Sequence, residues 1–308
     1  MYRRVLITGG NGLLGQALIQ KMGQSGNYDI MATGRQSRPL FAGGSCGYMS
    51  MDISDFKNVA SVFQDFSPDV VINCAAMTQV DDCESEREIC WRVNADAVEN
   101  LAKQCRKFGS HLIQVSTDFI FDGLTGPYRE ADRPNPLSYY GRSKLAGENG
   151  VRHAGLDRWA IARTVLVFGT GENLSRSNFV LWVANSLKQG KSISVVTDQF
   201  RSPTYVYDLA DGIERIVRFK KSGIYHLSGR ETLSVYDIAV TTAEVFGLDR
   251  TLINKTDGSQ FKQVALRPPR TGFLILKAET ELGYKPHELR DALAELANQL
   301  KIQSSESA

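Results

Sequence analysis

Val5-Leu6-Ile7-Thr8-Gly9-Gly10-Asn11-Gly12-Leu13-Leu14-Gly15 decides the fold. An aliphatic run passes directly into a glycine-rich turn, and the turn into a segment, 14–21, that reads as helix. Strand, glycine turn and helix is the context a dinucleotide-binding site requires. Glycine lets the backbone turn tightly and approach a pyrophosphate, whose charge is met by unpaired N–H groups at the helix start. On this reading Gly9, Asn11, Gly12, Leu13, Leu14 and Gly15 form the phosphate cradle. Taken singly, each glycine also reads as an ordinary cap or turn residue.

Working outward, short β-branched and aliphatic runs recur at 29–33, 48–51, 70–75, 111–116 and 159–164, with helical patterns between them. Several are apolar on both faces, as in a parallel sheet covered by helices on each side. The expected fold is α/β: a Rossmann-type doubly wound parallel sheet with a smaller C-terminal substrate-binding lobe. Residues 1–165 are expected to form the dinucleotide domain and 166–303 a mainly helical lobe, parts of which return to the sheet. Helices are expected at 178–188, 206–219, 234–246 and 286–300, short strands at 193–196 and 224–227, and a disordered Ser-rich tail at 304–308.

Lys plus Arg number 36 against 34 Asp plus Glu, a formal charge of +2 without a basic stripe, so nucleic acid is not an expected partner. The basic run Arg218-Phe219-Lys220-Lys221 falls where a helix should end and complements its dipole. Cys46, Cys74, Cys83, Cys90 and Cys105 show no C-x-x-C spacing, and the chain starts without an apolar signal region, which together fit a cytoplasmic location. No apolar stretch approaches the roughly 20 residues of a membrane span. The four His are scattered, so no metal site is expected. Trp91, Trp159 and Trp182 lie in helical or strand patterns and read as core.

The end of the second strand selects between nicotinamide cofactors. Thr33-Gly34-Arg35 carries no acid for a ribose hydroxyl, and Arg35 is shaped for a 2'-phosphate, so NADP is preferred with NAD possible. Arg35 and Arg38 equally read as solvated loop cations. Asp52 is placed to accept from the adenine amino group or, alternatively, to cap a helix starting near Ser54.

Tyr140 and Lys144 stand four apart in a segment that reads as helix, so they share one face. Reducing a ketone needs a hydride and a proton, and a phenol whose pKa is lowered by a neighbouring ammonium supplies the proton. Ser116 and Thr117 end a central strand, where hydroxyls face the ligand crevice. Thr117 is expected to polarise the carbonyl. A turn or cap role is the alternative for either hydroxyl.

TGGNGLLG (8–15), NCAAMTQVDDCE (73–84), VSTDFIFDG (115–123) and YYGRSK (139–144) together resemble the extended short-chain dehydrogenases and, within them, the dTDP-4-dehydrorhamnose reductases and their relatives. The likeness extends through DQFRSPTYVYDLA (198–210), YHLSG (225–229) and LRPPRTGFLILKAETELGY (266–284). It implies Thr117, Tyr140 and Lys144 as the catalytic trio, with Asn94 supporting Lys144 through water. It further implies Ile53, Cys74, Ala75, Ala76, Thr78, Tyr140 and Lys144 on the cofactor, Lys144 through the nicotinamide ribose, and substrate contacts from Val80, Thr117, Asp118, Phe119, Leu166, Arg201 and Thr204. The implied reaction is NADPH-dependent reduction of a 4-keto nucleotide sugar, dTDP-4-dehydrorhamnose to dTDP-rhamnose, by a monomer or homodimer. Where the reductases place Ser-Trp this chain has Val165-Leu166, which removes an aromatic that would stack on the sugar. Ala17 stands near the position of an acid that holds a dimer-bridging metal in some members.

Two rival functions share the scaffold. A dehydratase would carry Glu where this chain has Phe119, but an epimerase needs only the hydroxyl, tyrosine and lysine. A non-catalytic regulatory role, like that of the β subunit of methionine adenosyltransferase, is the alternative from a different class.

Overall fold

The computed structural model describes residues 3–42, 46–260 and 264–306. The first part of the chain runs β1 (Arg3–Thr8), α1 (Leu13–Ser25), β2 (Tyr28–Gly34), β3 (Cys46–Ser50), α2 (Phe56–Phe66), β4 (Val70–Asn73), α3 (Asp82–Ser85), α4 (Arg87–Trp91), α5 (Ala97–Phe108), β5 (His111–Thr117), α6 (Tyr139–His153) and β6 (Trp159–Thr164). The rest runs β7 (Val167–Phe168), α7 (Phe179–Lys188), β8 (Ile193–Val196), β9 (Phe200–Arg201), β10 (Thr204–Tyr205), α8 (Val206–Arg218), β11 (Gly223–His226), β12 (Leu233–Ser234), α9 (Val235–Val245), β13 (Ile253–Thr256), α10 (Leu276–Leu282) and α11 (Leu289–Glu306).

Seven parallel strands form one sheet in the order β11-β6-β5-β4-β1-β2-β3. Period-two alternation sends Val5 and Ile7 of β1 into a core shared with α1 and α8, and Leu6 into an opposite core shared with α2 and α5. Each fully buried side chain of this kind contributes about 1.5–3 kcal/mol, so both faces of the sheet must stay covered. Strand order reverses between β1 and β4, and ligands of such sheets bind in the crevice outside the strand ends at that switch point.

Local signals place the site-bearing helices. Ser138 caps α6, its hydroxyl accepting from Gly141 N at 3.1 Å, after Pro134 and Pro136 have held the chain extended. Asp55 caps α2 by accepting from the N–H groups of Lys57 and Asn58, both at 3.1 Å.

Beyond β6, the pairs β7/β10, β9/β12 and β8/β13 are packed by α7, α9 and α11 into two smaller cores. Between them the chain goes back to the main body, where α8 packs on α1 and β11 adds the seventh strand beside β6. Two expectations fail. Helix α11 runs to Glu306, so 304–306 carry helical backbone where a disordered tail is expected; Ser307 and Ala308 lie outside the described residues. Trp91 and Trp182 are not core: their side chains are 39% and 43% exposed.

Candidate active site

The glycine turn closes against β4. Gly9 has φ +67°, and a Cβ there would lie 2.9 Å from Ala75 N; a Cβ on Gly15 would lie 2.7 Å from Gly10 Cα. Only hydrogen at these two positions lets turn, helix and strand end pack this closely. Gly12 caps α1 without a side-chain hydrogen bond, so the first-turn N–H groups at Leu13 and Leu14 face outward from the helix start, as an anion requires. Asn11 ties the turn to the loop after β2: its Nδ2 donates to Gln36 Oε1 (2.9 Å) and Tyr48 Oη (3.1 Å), and its Oδ1 accepts from Leu40 N (2.9 Å). Arg35 stands exposed on that loop.

Leaving β4, Cys74 N donates to Thr8 O and Ala75 N to Thr8 Oγ1, both at 3.3 Å, and part-exposed Ala76 continues along the crevice. Exposed Thr78 accepts from Arg176 Nη1 at 3.1 Å. Asp52 closes a turn, its Oδ1 accepting from Ser54 N (2.8 Å) and Ser54 Oγ (2.7 Å); the helix cap expected of it is supplied by Asp55. Ile53, expected on the cofactor, is 5% exposed and its side chain packs in the core beside α2.

Three distant segments converge at the end of β5. Tyr140 and Lys144, on the buried face of α6, are 8% and 5% exposed, and Thr117 is 7% exposed. Lys144 Nζ donates to Val115 O at 2.8 Å. Burial lowers its ammonium pKa from 10.5 to about 8, against the opposing pull of the Glu148 carboxylate one turn on. The Tyr140 phenol goes the other way from expectation: burial pushes its pKa up, the Thr117 hydroxyl opposes this, and Asp118, Cys83 and Cys90 add to it. The phenol is therefore held as a proton donor. Asn94, 1% exposed in a π-helical turn (Arg92–Asp96), accepts from Met77 N and donates to Met77 O, both at 2.9 Å. It also donates directly to Ser143 Oγ at 3.1 Å, stitching the loop after β4 to the helix that carries Lys144.

On the substrate side the expectations divide. Phe119 packs edge-on against Tyr140 with centroids 5.8 Å apart, and Val80 packs in the same cluster. Arg201 lies over the Phe119 ring at 5.8 Å but is only 4% exposed; it donates to Phe200 O at 2.7 Å and faces Asp118 at 4.0 Å. Asp118 is turned inward rather than toward a sugar. It is 3% exposed, accepts from Thr117 Oγ1 at 3.0 Å and from the Thr271 hydroxyl, and burial raises its pKa against these donors and Arg201. Thr204 is fully buried and donates to Val165 O at 2.6 Å; it joins β7 to β10 and does not reach the crevice. Leu166, at φ +38°, packs partly buried between two cores.

Thr271, Arg267 and Asp81 are site-forming residues that the sequence reading leaves without a role. Arg267 Nη2 meets Asp81 Oδ2 at 2.7 Å, closing the 264–275 segment over the loop after β4. Their signal is a Pro-Pro pair followed by a lone hydroxyl in an apolar stretch, which reads as a turn.

Sheet order and glycine turn define a Rossmann-type dinucleotide-binding fold with a hydroxyl, a phenol and an ammonium beside the crevice. The chain belongs to the RmlD substrate binding domain family, which matches residues 3–302. It is 34% identical to the probable low-salt glycan biosynthesis reductase Agl14 of Haloferax volcanii, over 94% of this chain and 96% of that one. Methionine adenosyltransferase 2 subunit beta of Xenopus tropicalis is 36% identical over 80% of this chain and 73% of its own length. Among solved structures, dTDP-4-dehydrorhamnose reductase from Bacillus anthracis in complex with NADP superposes with a TM-score of 0.85 at 29% identity, covering 97% of this chain and 100% of that one.

Proposed function

We propose that the chain is an NADPH-dependent reductase acting on the keto group of a nucleotide-linked sugar, with dTDP-4-dehydrorhamnose as the favoured substrate and dTDP-rhamnose as its product. The observation that carries this reading is the convergence of Thr117, Tyr140 and Lys144 beside the switch-point crevice. The names of the Haloferax and Bacillus relatives point the same way.

The residues present fit a dinucleotide: bare glycines at Gly9 and Gly15, an open start to α1, and Arg35 beside the expected ribose position. When bound, the nicotinamide supplies a hydride to the carbonyl carbon. Tyr140, its proton held firmly by burial, donates to the oxygen as negative charge develops there. Lys144 sits one helical turn along the same face, where its charge stabilises the phenolate left behind. Asn94 fixes the backbone around both by holding Met77 and Ser143. Leu166, where an aromatic would stack on the sugar, leaves sugar identity to the surrounding loops.

Purified chain mixed with NADPH and dTDP-4-dehydrorhamnose should consume NADPH in proportion to product. Altered sugar configuration with NADPH unchanged would instead identify an epimerase. The methionine adenosyltransferase likeness favours a second, regulatory reading. It predicts no sugar turnover and a change in the activity of an added methionine adenosyltransferase catalytic subunit.

A further inference from the structure

We propose that Thr271 is a positioning residue for Thr117, acting through the Asp118 carboxylate, so that the C-terminal segment completes the catalytic centre. This deepens the reductase reading and rests on it.

A threonine hydroxyl carries one proton and two lone pairs. In Thr117 the proton goes to Asp118 Oδ1 at 3.0 Å, and one lone pair accepts from Phe119 N at 3.2 Å. The Tyr140 phenol lies beside the same oxygen. The aim of Thr117 is thus set by where Asp118 holds Oδ1. That carboxylate is 3% exposed, and its other oxygen accepts from the Thr271 hydroxyl while Arg201 Nε stands off at 4.0 Å. Thr271 is therefore the close partner of Oδ2 and fixes the rotation of the whole group.

Thr271 is itself held from several sides. It is 0% exposed, its N–H donates to Phe200 O at 3.2 Å, and neighbouring Gly272 O accepts from Tyr128 N at 2.8 Å. Upstream on the same segment, Arg267 meets Asp81 in a two-point contact at 3.1 and 2.7 Å, and Ala265 N donates to Asp81 Oδ1 at 3.0 Å. The path runs from Asp81 after β4 through Arg267 along the chain to Thr271, and on through Asp118 to Thr117. Residues 153 apart in sequence meet in a single hydrogen bond at its centre.

Replacing the Thr271 hydroxyl by a methyl leaves Oδ2 buried without its close donor, so the carboxylate turns or takes a proton. Either event releases the Thr117 hydroxyl. The charged and titratable groups facing Asp118 are Arg201, with Arg267 behind it, and the Tyr140 phenol. Losing a donor moves the carboxyl pKa further up, so the acid side of the activity profile moves to higher pH.

The test measures kcat, KM and the pH profile of NADPH consumption with dTDP-4-dehydrorhamnose for the native chain, Thr271→Val, Thr271→Ala and Thr271→Ser. Thr232→Val serves as control, because Thr232 bonds to Ser202 at 3.1 Å close to the same segment. Thr271→Val and Thr271→Ala should lower kcat roughly tenfold, the scale of one hydrogen bond to a charged group, leave the sugar KM within about twofold, and raise the acid limb. Thr271→Ser should restore all three, and Thr232→Val should match the native chain. Native kcat and acid limb in Thr271→Val or Thr271→Ala, or an equal loss in Thr232→Val, would overturn the positioning role alone. A native chain that consumes no NADPH overturns the reductase reading and this role with it.

Discussion

The two walls of the crevice are built on different physics. The wall proposed for the dinucleotide is backbone and hydrogen: Gly9 and Gly15, where a Cβ would clash, an open helix start, and strand-end amides bonded to Thr8. The wall proposed for the substrate is backed by buried charges and hydroxyls, Asp118, Arg201 and Thr271, whose partners come from remote segments. A backbone cradle is encoded within a dozen consecutive residues. A side-chain relay is encoded nowhere locally, and it fails when one partner is lost.

The largest expected effect isolates the chemistry lying between the two walls. Tyr140→Phe should lower turnover by about 10²–10⁴-fold and leave NADPH affinity, measured by fluorescence titration, near native, because the cradle does not involve the phenol. Next comes the buried pair beneath α6, where Arg163 meets Glu148 at 2.9 and 2.8 Å with both side chains essentially inaccessible. Arg163→Met removes both bonds from a buried carboxylate and should cost about 3–5 kcal/mol in urea unfolding.

The dinucleotide wall is sharpened by Arg35→Ala. Loss of a charged hydrogen bond of about 1.5–3 kcal/mol should weaken NADPH while sparing NADH, read by titrating each cofactor; equal weakening of both would detach Arg35 from the 2'-phosphate. A pH profile probes the ammonium. Lys144 titrates near 8, so kcat should fall as pH rises through about 8, and Lys144→Arg should remove that limb. The linkage has the opposite sense. The native lysine releases its proton near 8 and the unfolded one near 10.5, so between these values the unfolded chain binds more protons and this group makes stability rise with pH. Smallest of all is the exposed pairing of Glu244 with Arg250 and Arg290. Glu244→Gln should change stability by less than about 1 kcal/mol.

The same division explains what was legible in the sequence. Six of the seven sheet strands and the glycine turn follow from apolar runs and glycine spacing, the seventh from the short strand expected at 224–227, and Tyr140 and Lys144 from a helical interval. Thr204, a substrate contact by family resemblance, is buried completely by the β7/β10 pairing. Ile53 follows Asp52 in the turn after β3, and its side chain packs into the core beside α2. The phenol pKa was expected to fall because an ammonium is one turn away; burial, which a spacing argument does not see, dominates. Thr271 was illegible because its partner is 153 residues distant. Trp91 shows the converse, an apolar residue in a helical pattern that faces outward.

The central claim is that Tyr140 protonates a carbonyl oxygen, with Lys144 and Thr117 beside the phenol, while a nicotinamide reduces its carbon. Mass spectrometry of the sugar product formed with hydride-labelled, deuterated NADPH tests it most directly. The account predicts one deuterium at the reduced carbon with the native chain, and with Tyr140→Phe the same labelled product formed about 10²–10⁴-fold more slowly; product formed without deuterium, or an undiminished rate of labelled product in the variant, would contradict it.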